Sequence, residues 1–160
     1  MVVSNLSMDN YKNFNHIKIH TQYSICEGAL RINDLAEFCK KNKIKCVGLS
    51  DTTNLCGALE FSENLSKIGT QPIIGTQVNF KFADQIGLLP LIATSEESYK
   101  SIIEMSSNSY LKNDGMSEPH CNFKDLSAVS KDIIILSGTV NGLVGKLFDK
   151  GLFNEVEEIY

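Results

Sequence analysis

The chain is short of positive charge: 15 lysine and arginine side chains stand against 19 acidic ones, for a net charge of -4. That balance argues against a segment built to neutralise a nucleic-acid backbone, and its one basic cluster is Lys40, Lys41, Lys43 and Lys45. Paired cysteines are missing too. Cys26, Cys39, Cys46, Cys56 and Cys121 are odd in number and never spaced Cys-x-x-Cys, which speaks against a disulfide framework or a zinc ribbon and leaves Cys39 and Cys46 as expected small core residues. Met1 to Asn10 has neither a cationic start nor the apolar stretch of a signal peptide. No segment reaches the roughly 18 apolar residues of a membrane span, so a cytoplasmic location without membrane attachment is expected. Fixed-period repeats and low-complexity tracts are likewise lacking.

What is present is enough apolar material for a core, 42% of 160 residues, and length alone predicts one domain. Strand and helix patterns alternate, which predicts an α/β fold with mainly parallel strands. Ile17–His20 reads as a strand. Ile32, Leu35, Ala36 and Cys39 form a helical stripe, and Cys46–Ser50 reads as the next strand. Leu55, Leu59 and Ser62, with Phe61, Leu65 and Ile68 beside them, predict a helix ending at Gly69, followed by strands over Pro72–Phe80 and Leu88–Ala93. Ser95 is placed to cap a helix carrying Glu96 and Glu97 in its first turn and broken at Asn113-Asp114-Gly115. Ile133–Leu136 reads as a strand buried on both faces, with a helix over Leu143–Phe148 and another begun at Leu152–Tyr160.

Polar residues gather at the predicted strand ends. If Ile17 and Ile19 point inward, His16, Lys18 and His20 share one strand face. Asp51 and Thr52 end the second strand, and Gln77 could reach the same mouth from the third. Two imidazoles and a carboxylate suit a first-row metal, but a site needs three or four ligands. The Lys18 ammonium would repel a divalent cation at that range and could instead pair with Asp51. A hydrogen-bonded polar cluster is the alternative reading of His16, His20 and Asp51. Thr21, Tyr23 and Ser24 follow His20 and read as turn or cap residues, not as nucleophiles. His120 is expected in an exposed polar loop, and Tyr99 and Tyr110 as core or half-buried rim residues.

Phe14, His16, Ile17, Lys18, His20, Thr21, Tyr23, Ser24, Glu27 and Gly28, then Asn54-Leu55-Cys56-Gly57, then Pro72-Ile73-Ile74-Gly75 with Gln77, resemble the N-terminal PHP (polymerase and histidinol phosphatase) domain of the bacterial replicative polymerase III alpha subunit family. Weaker matches at Ile92-Ala93-Thr94 with Tyr99 and at Ile133–Gly138 extend the similarity over most of residues 11–150. The resemblance implies the first part of a (βα)-barrel-like PHP fold spanning residues 1–160, an incomplete barrel whose polymerase domains lie elsewhere. It implies that metal-binding members carry histidine where this chain has Lys18 and Thr52, and glutamate where it has Gln77. The expectation is therefore a vestigial cleft at His16, Lys18, His20, Asp51, Thr52 and Gln77 with no metal and no catalytic residue. Magnesium is expected only in the absent polymerase domain, which also supplies the DNA contacts. The implied role is a scaffold in DNA replication, joined to the rest of the alpha subunit and available to the proofreading exonuclease. A stand-alone PHP phosphoesterase is the alternative. An incomplete barrel further predicts an unpaired strand edge, exposed apolar surface and marginal stability for the isolated chain.

Overall fold

The computed structural model describes residues 14–113, 115–127 and 132–160. Helix α1 (Ile32–Asn42) buries Ile32, Leu35, Ala36 and Cys39, the predicted stripe. It stops where Lys43 turns left-handed at φ 54°, its backbone N–H reaching back to the carbonyls of Cys39 and Lys40. Helix α2 (Ala58–Lys67) buries Ala58, Phe61 and Leu65, whereas Leu59 is 72% exposed. The expected stripe through Leu59 is thus rotated. Leu55 lies before the helix begins, so Ala58, at i, i+3 and i+7 with Phe61 and Leu65, defines the inward face.

The predicted strand over Cys46–Ser50 is β1 (Cys46–Gly48) running on into β2 (Asp51–Thr52). Its partner is β3 (Gln71–Ile73) continued by β4 (Gly75–Phe82), the expected Pro72–Phe80 strand. The pairs β1–β3 and β2–β4 are both parallel, and the Leu49 N–H bonded to the Ile73 carbonyl at 2.9 Å joins them. The expected strand Ile17–His20 contracts to one parallel bridge, Ile19 with Leu49, flanked by Gly48 N–H to His16 carbonyl at 2.7 Å. Glycine is required there. A Cβ on Gly48 would stand 2.5 Å from the Ile17 carbonyl oxygen.

Strand–helix alternation gives way once. Ala83 and Asp84, at φ 46° and 59°, form a two-residue turn that folds β5 (Gln85–Ala93) back antiparallel on β4. Helix α3 (Glu96–Leu111) follows, capped by Ser95 as predicted, with Ser98 completing a reciprocal cap. Ile102 and Met105 are buried and Ile103 is 40% exposed; of the expected break, Asp114 lies outside the described residues. Strand β6 (Cys121–Asn122) runs parallel to β4, then come α4 (Phe123–Ser127) and β7 (Ile133–Ile135), antiparallel to β5. Helices α5 (Leu143–Asp149) and α6 (Phe153–Ile159) close the chain. The fold is α/β, with three parallel ladders and two antiparallel ones among the described residues, both antiparallel ones made by β5.

The sheet order β2-β4-β5-β7 places β7 at an edge. Only Ile133 is buried there; Ile134 is 51% and Ile135 37% exposed, correcting the reading of a strand covered on both faces. A continuous apolar run does not distinguish a central strand from an edge strand with an open side. Two apolar clusters hold the molecule. One joins α1, α2 and β1 through Cys39, Val47, Leu49, Phe61 and Leu65, and the other joins β4, β5, α3 and α5 through Val78, Phe80, Leu91, Ile102 and Leu147. Leu55 packs against both. Cys39 is core as expected, while Cys46 is half-buried. Among the described residues, no helix is long and apolar enough to cross a membrane.

Candidate functional site

Asp51 is the centre of the predicted cleft and is fully buried, as are Thr21 and Ser24 beside it. Its Oδ1 accepts from the Thr21 backbone N–H at 2.6 Å and from the Ser24 hydroxyl at 2.6 Å, and its Oδ2 accepts from the Thr21 hydroxyl at 2.7 Å. Three short bonds satisfy both oxygens of a carboxylate that pairs with no cationic side chain among the described residues. Ser24 Oγ accepts in turn from the Thr52 N–H at 3.1 Å. The segment supplying these donors is a tight turn: the Ser24 N–H meets the Thr21 carbonyl at 2.9 Å, and the Gly28 N–H the Ser24 carbonyl at 2.9 Å. A Cβ at Gly28 would lie 2.0 Å from the Thr21 carbonyl oxygen, so glycine lets this loop close on itself.

A second set of bonds runs outward. Gln77 Nε2 donates to Thr52 Oγ1 at 2.9 Å, and the Thr52 hydroxyl donates to Glu27 Oε2 at 2.5 Å. His20 Nδ1 lies 3.4 Å from Ser24 Oγ and 3.8 Å from Glu27 Oε2. The remaining predicted members do not join. His16 is exposed and meets the Phe14 ring edge-on at 4.7 Å, because the chain there is bridged at one residue instead of pleated through His20. Lys18 makes no ion pair with Asp51. The hydroxyls of Thr21 and Ser24 occupy the carboxylate that the sequence offered to it.

Thr21 and Ser24 do form the expected turn, and their grip on Asp51 is an added role. Nothing local in the sequence marks it, since the partners are 30 and 27 positions apart. Glu27 was legible only as a motif residue. The Asn54-Leu55-Cys56-Gly57 stretch also has a structural use. Asn54 donates to the carbonyls of Tyr23 and Thr52 at 3.0 and 2.9 Å, and Gly57 leaves room for the Tyr23 ring, 2.6 Å from where a Cβ would sit. The Tyr23 hydroxyl donates to Glu60 Oε2 at 2.7 Å; that bond, with some desolvation, holds its pKa above the ordinary tyrosine value.

The cleft opening in front of this network encloses about 310 Å³, lined by Glu27, Thr52, Thr53, Asn79, Tyr110 and Lys146. Tyr110 reaches Thr53 Oγ1 at 2.9 Å from the rim, but at 53% exposed it is more open than the core or half-buried place expected of it. His120 lies apart and half-buried, its Nδ1 2.8 Å from the Glu118 carbonyl. Among the described residues, no three histidine, cysteine, aspartate or glutamate side chains are grouped to hold a metal ion.

Residues 16–160 match the family model described as PHP domain. The chain is 37% identical over 134 residues to the DNA polymerase III subunit alpha of Rickettsia felis, covering 83% of this chain and 11% of that protein. It is 30% identical over 161 residues to the DNA polymerase III subunit alpha of Haemophilus influenzae, covering 94% of this chain and 13% of that protein. The chain therefore spans roughly an eighth of the length of the curated relatives it matches. Among solved structures it is similar to a candidate metal-dependent phosphoesterase from Bifidobacterium adolescentis. That match has a TM-score of 0.49 at 20% identity and covers 88% of this chain and 51% of that one.

Proposed function

The chain belongs to the PHP domain family, and we propose that it is a scaffold domain of a replicative DNA polymerase alpha subunit, without catalysis of its own. Support for the polymerase branch comes from its 37% identity to an alpha subunit over 134 residues. The observation that carries the scaffold reading is the state of Asp51, whose oxygens are committed to Thr21 and Ser24. A divalent cation does not fit this donor set. Coordination by Asp51 would have to break bonds to three protein donors, Gln77 presents its amide N–H to Thr52, and Thr52 and Lys18 offer no imidazole. The cleft thus serves to fasten the N-terminal turn to β2 and β4. In this reading nucleotide addition and its magnesium belong to the rest of the alpha subunit. The domain stabilises that subunit in the cytoplasm, off the membrane, and offers a surface to the proofreading exonuclease.

Three measurements test the proposal. Isothermal titration of the chain with zinc and with manganese is expected to give no stoichiometric binding, and p-nitrophenyl phosphate is expected to remain unhydrolysed with either metal. Tight binding accompanied by turnover would overturn the scaffold reading in favour of a phosphoesterase. For the partner, the full alpha subunit is expected to retain the exonuclease on a column, and its loss of PHP residues 14–160 to abolish retention; unchanged retention would remove the docking role.

A further inference from the structure

The net charge of -4 conceals a strong local excess. Lys40, Lys41, Lys43 and Lys45 fall within six residues with no acid among them, and all four are exposed. None forms an ion pair or side-chain hydrogen bond with a described residue; the described lysine ion pairs are Lys67–Glu63, Lys81–Asp84 and Lys100–Glu96. The dipole of α1 accounts for Lys40 and Lys41, which sit in its last turn. It does not account for Lys43 and Lys45, which lie beyond the helix on the way into β1.

Topology gathers more charge at the same end. The Gln71 N–H bonds the Lys45 carbonyl at 2.8 Å and the Thr70 hydroxyl bonds the Ile44 carbonyl at 2.9 Å, so the chain leaving α2 enters the sheet beside the chain leaving α1. Lys67, in the last turn of α2, therefore stands at this end of the fold as well. Its pair with Glu63 is 3.5 Å long and exposed on both sides, a weak interaction that leaves the ammonium available. One turn back from Lys41 and Asn42, Phe38 is 56% exposed, and the Asn42 amide donates to its carbonyl at 2.8 Å. The nearest acid on the same helix is Glu37. The surface is thus a row of ammonium groups, four of them without an ion pair to a described residue, on the same helix end as an uncovered aromatic ring, the combination that holds a phosphate backbone while stacking an unpaired base.

We propose that Phe38, Lys40, Lys41, Lys43, Lys45 and Lys67 form a contact surface for single-stranded DNA, at the end of the fold where β1 and β3 begin. Asp51, at the far end of that strand pair, takes no part in it. The proposal rests on the arrangement of charge and ring and stands whether or not the polymerase reading holds.

The test is fluorescence anisotropy of a labelled oligothymidylate of about twenty nucleotides with the whole chain. Non-specific binding in the range of about 10⁻⁴ to 10⁻⁶ M is expected in dilute salt, with log K falling against log salt at a slope of about -3 if four phosphates are neutralised. The triple variant K41E/K43E/K45E should bind at least about tenfold more weakly and lose most of the slope. Phe38→Ala should weaken binding to the single strand roughly fivefold while leaving a duplex of the same length unaffected. Lys100→Glu, remote from the patch, should change neither. Far-UV circular dichroism and thermal melts must superpose for all four proteins. The proposal is overturned if the wild-type chain does not bind or if K41E/K43E/K45E binds as tightly. Displacement by polyglutamate at equal charge concentration would also overturn it, because the surface would then be reading acidic protein.

Discussion

Among the described residues, Asp51 is held by dipoles, since hydroxyls and an N–H face both of its oxygens. Asp51→Asn would turn an amide N–H toward groups that are themselves donors, leaving at least one buried group unpaired. A loss of about 2–3 kcal/mol is expected in urea denaturation. Ser24→Ala removes one of the three bonds and should cost less, about 1–2 kcal/mol. Cys121 provides a pH-dependent counterpart. Burial foremost, then the Asp125 charge, against an opposing Lys112, pushes its thiol up to about 11 from 9.0. A thiol whose folded pKa is raised stays protonated after the unfolded chain has released its proton. Stability is therefore fully present below pH 9 and falls as pH rises toward about 11. Urea midpoints at pH 8, 9.5 and 11 should show the decline, and Cys121→Ala should make it shallower. At this scale the sequence displayed Asp51 clearly, because strand ends are readable from local pattern, and offered Gln77 from within the next strand. It did not display Thr21 and Ser24 as the clamps of Asp51, and it left Lys18 a choice that only the fold decides.

Elements were legible where one period governs a segment. The α1 stripe and the Ser95 cap are local facts, the latter a side chain bonded to a backbone N–H three residues on. Ser95→Ala should accordingly cost about 1 kcal/mol, read from the thermal midpoint. The β4–β5 hairpin was hidden because its turn, Ala83-Asp84, lacks the Asn-Gly or Asp-Gly pair that ordinarily announces a left-handed two-residue loop. Both adopt positive φ with a Cβ in place. Replacing them with Asn-Gly is expected to raise stability by about 0.5–1 kcal/mol, measured by urea denaturation at pH 7. Its effect outweighs the loss of the Lys81–Asp84 pair, which is 3.8 Å long and highly exposed.

At the scale of the molecule, β7 leaves a strand edge with two isoleucines open to water. Such an edge favours association between copies of the chain. Ile134→Lys should lower the scattering of a concentrated sample without shifting its melting temperature by more than about 2 °C, since the side chain it replaces is half exposed. Architecture was legible from strand–helix alternation, and so was the parallel direction of most ladders, but the reversal of β5 was not, because it turns back on β4 through a loop too short to hold a helix. That same hairpin bears on how the chain acquires its structure. Its eight residue pairs, from Phe82–Gln85 to Gly75–Ile92, close one after another from a two-residue loop, whereas the grip of Thr21 on Asp51 must close across 30 positions. Folding should therefore begin at residues 75–92 and finish at the N-terminal turn. Amides of β4 and β5 would then be the first protected in pulsed hydrogen exchange, and the cleft would be the last part of the molecule to exist.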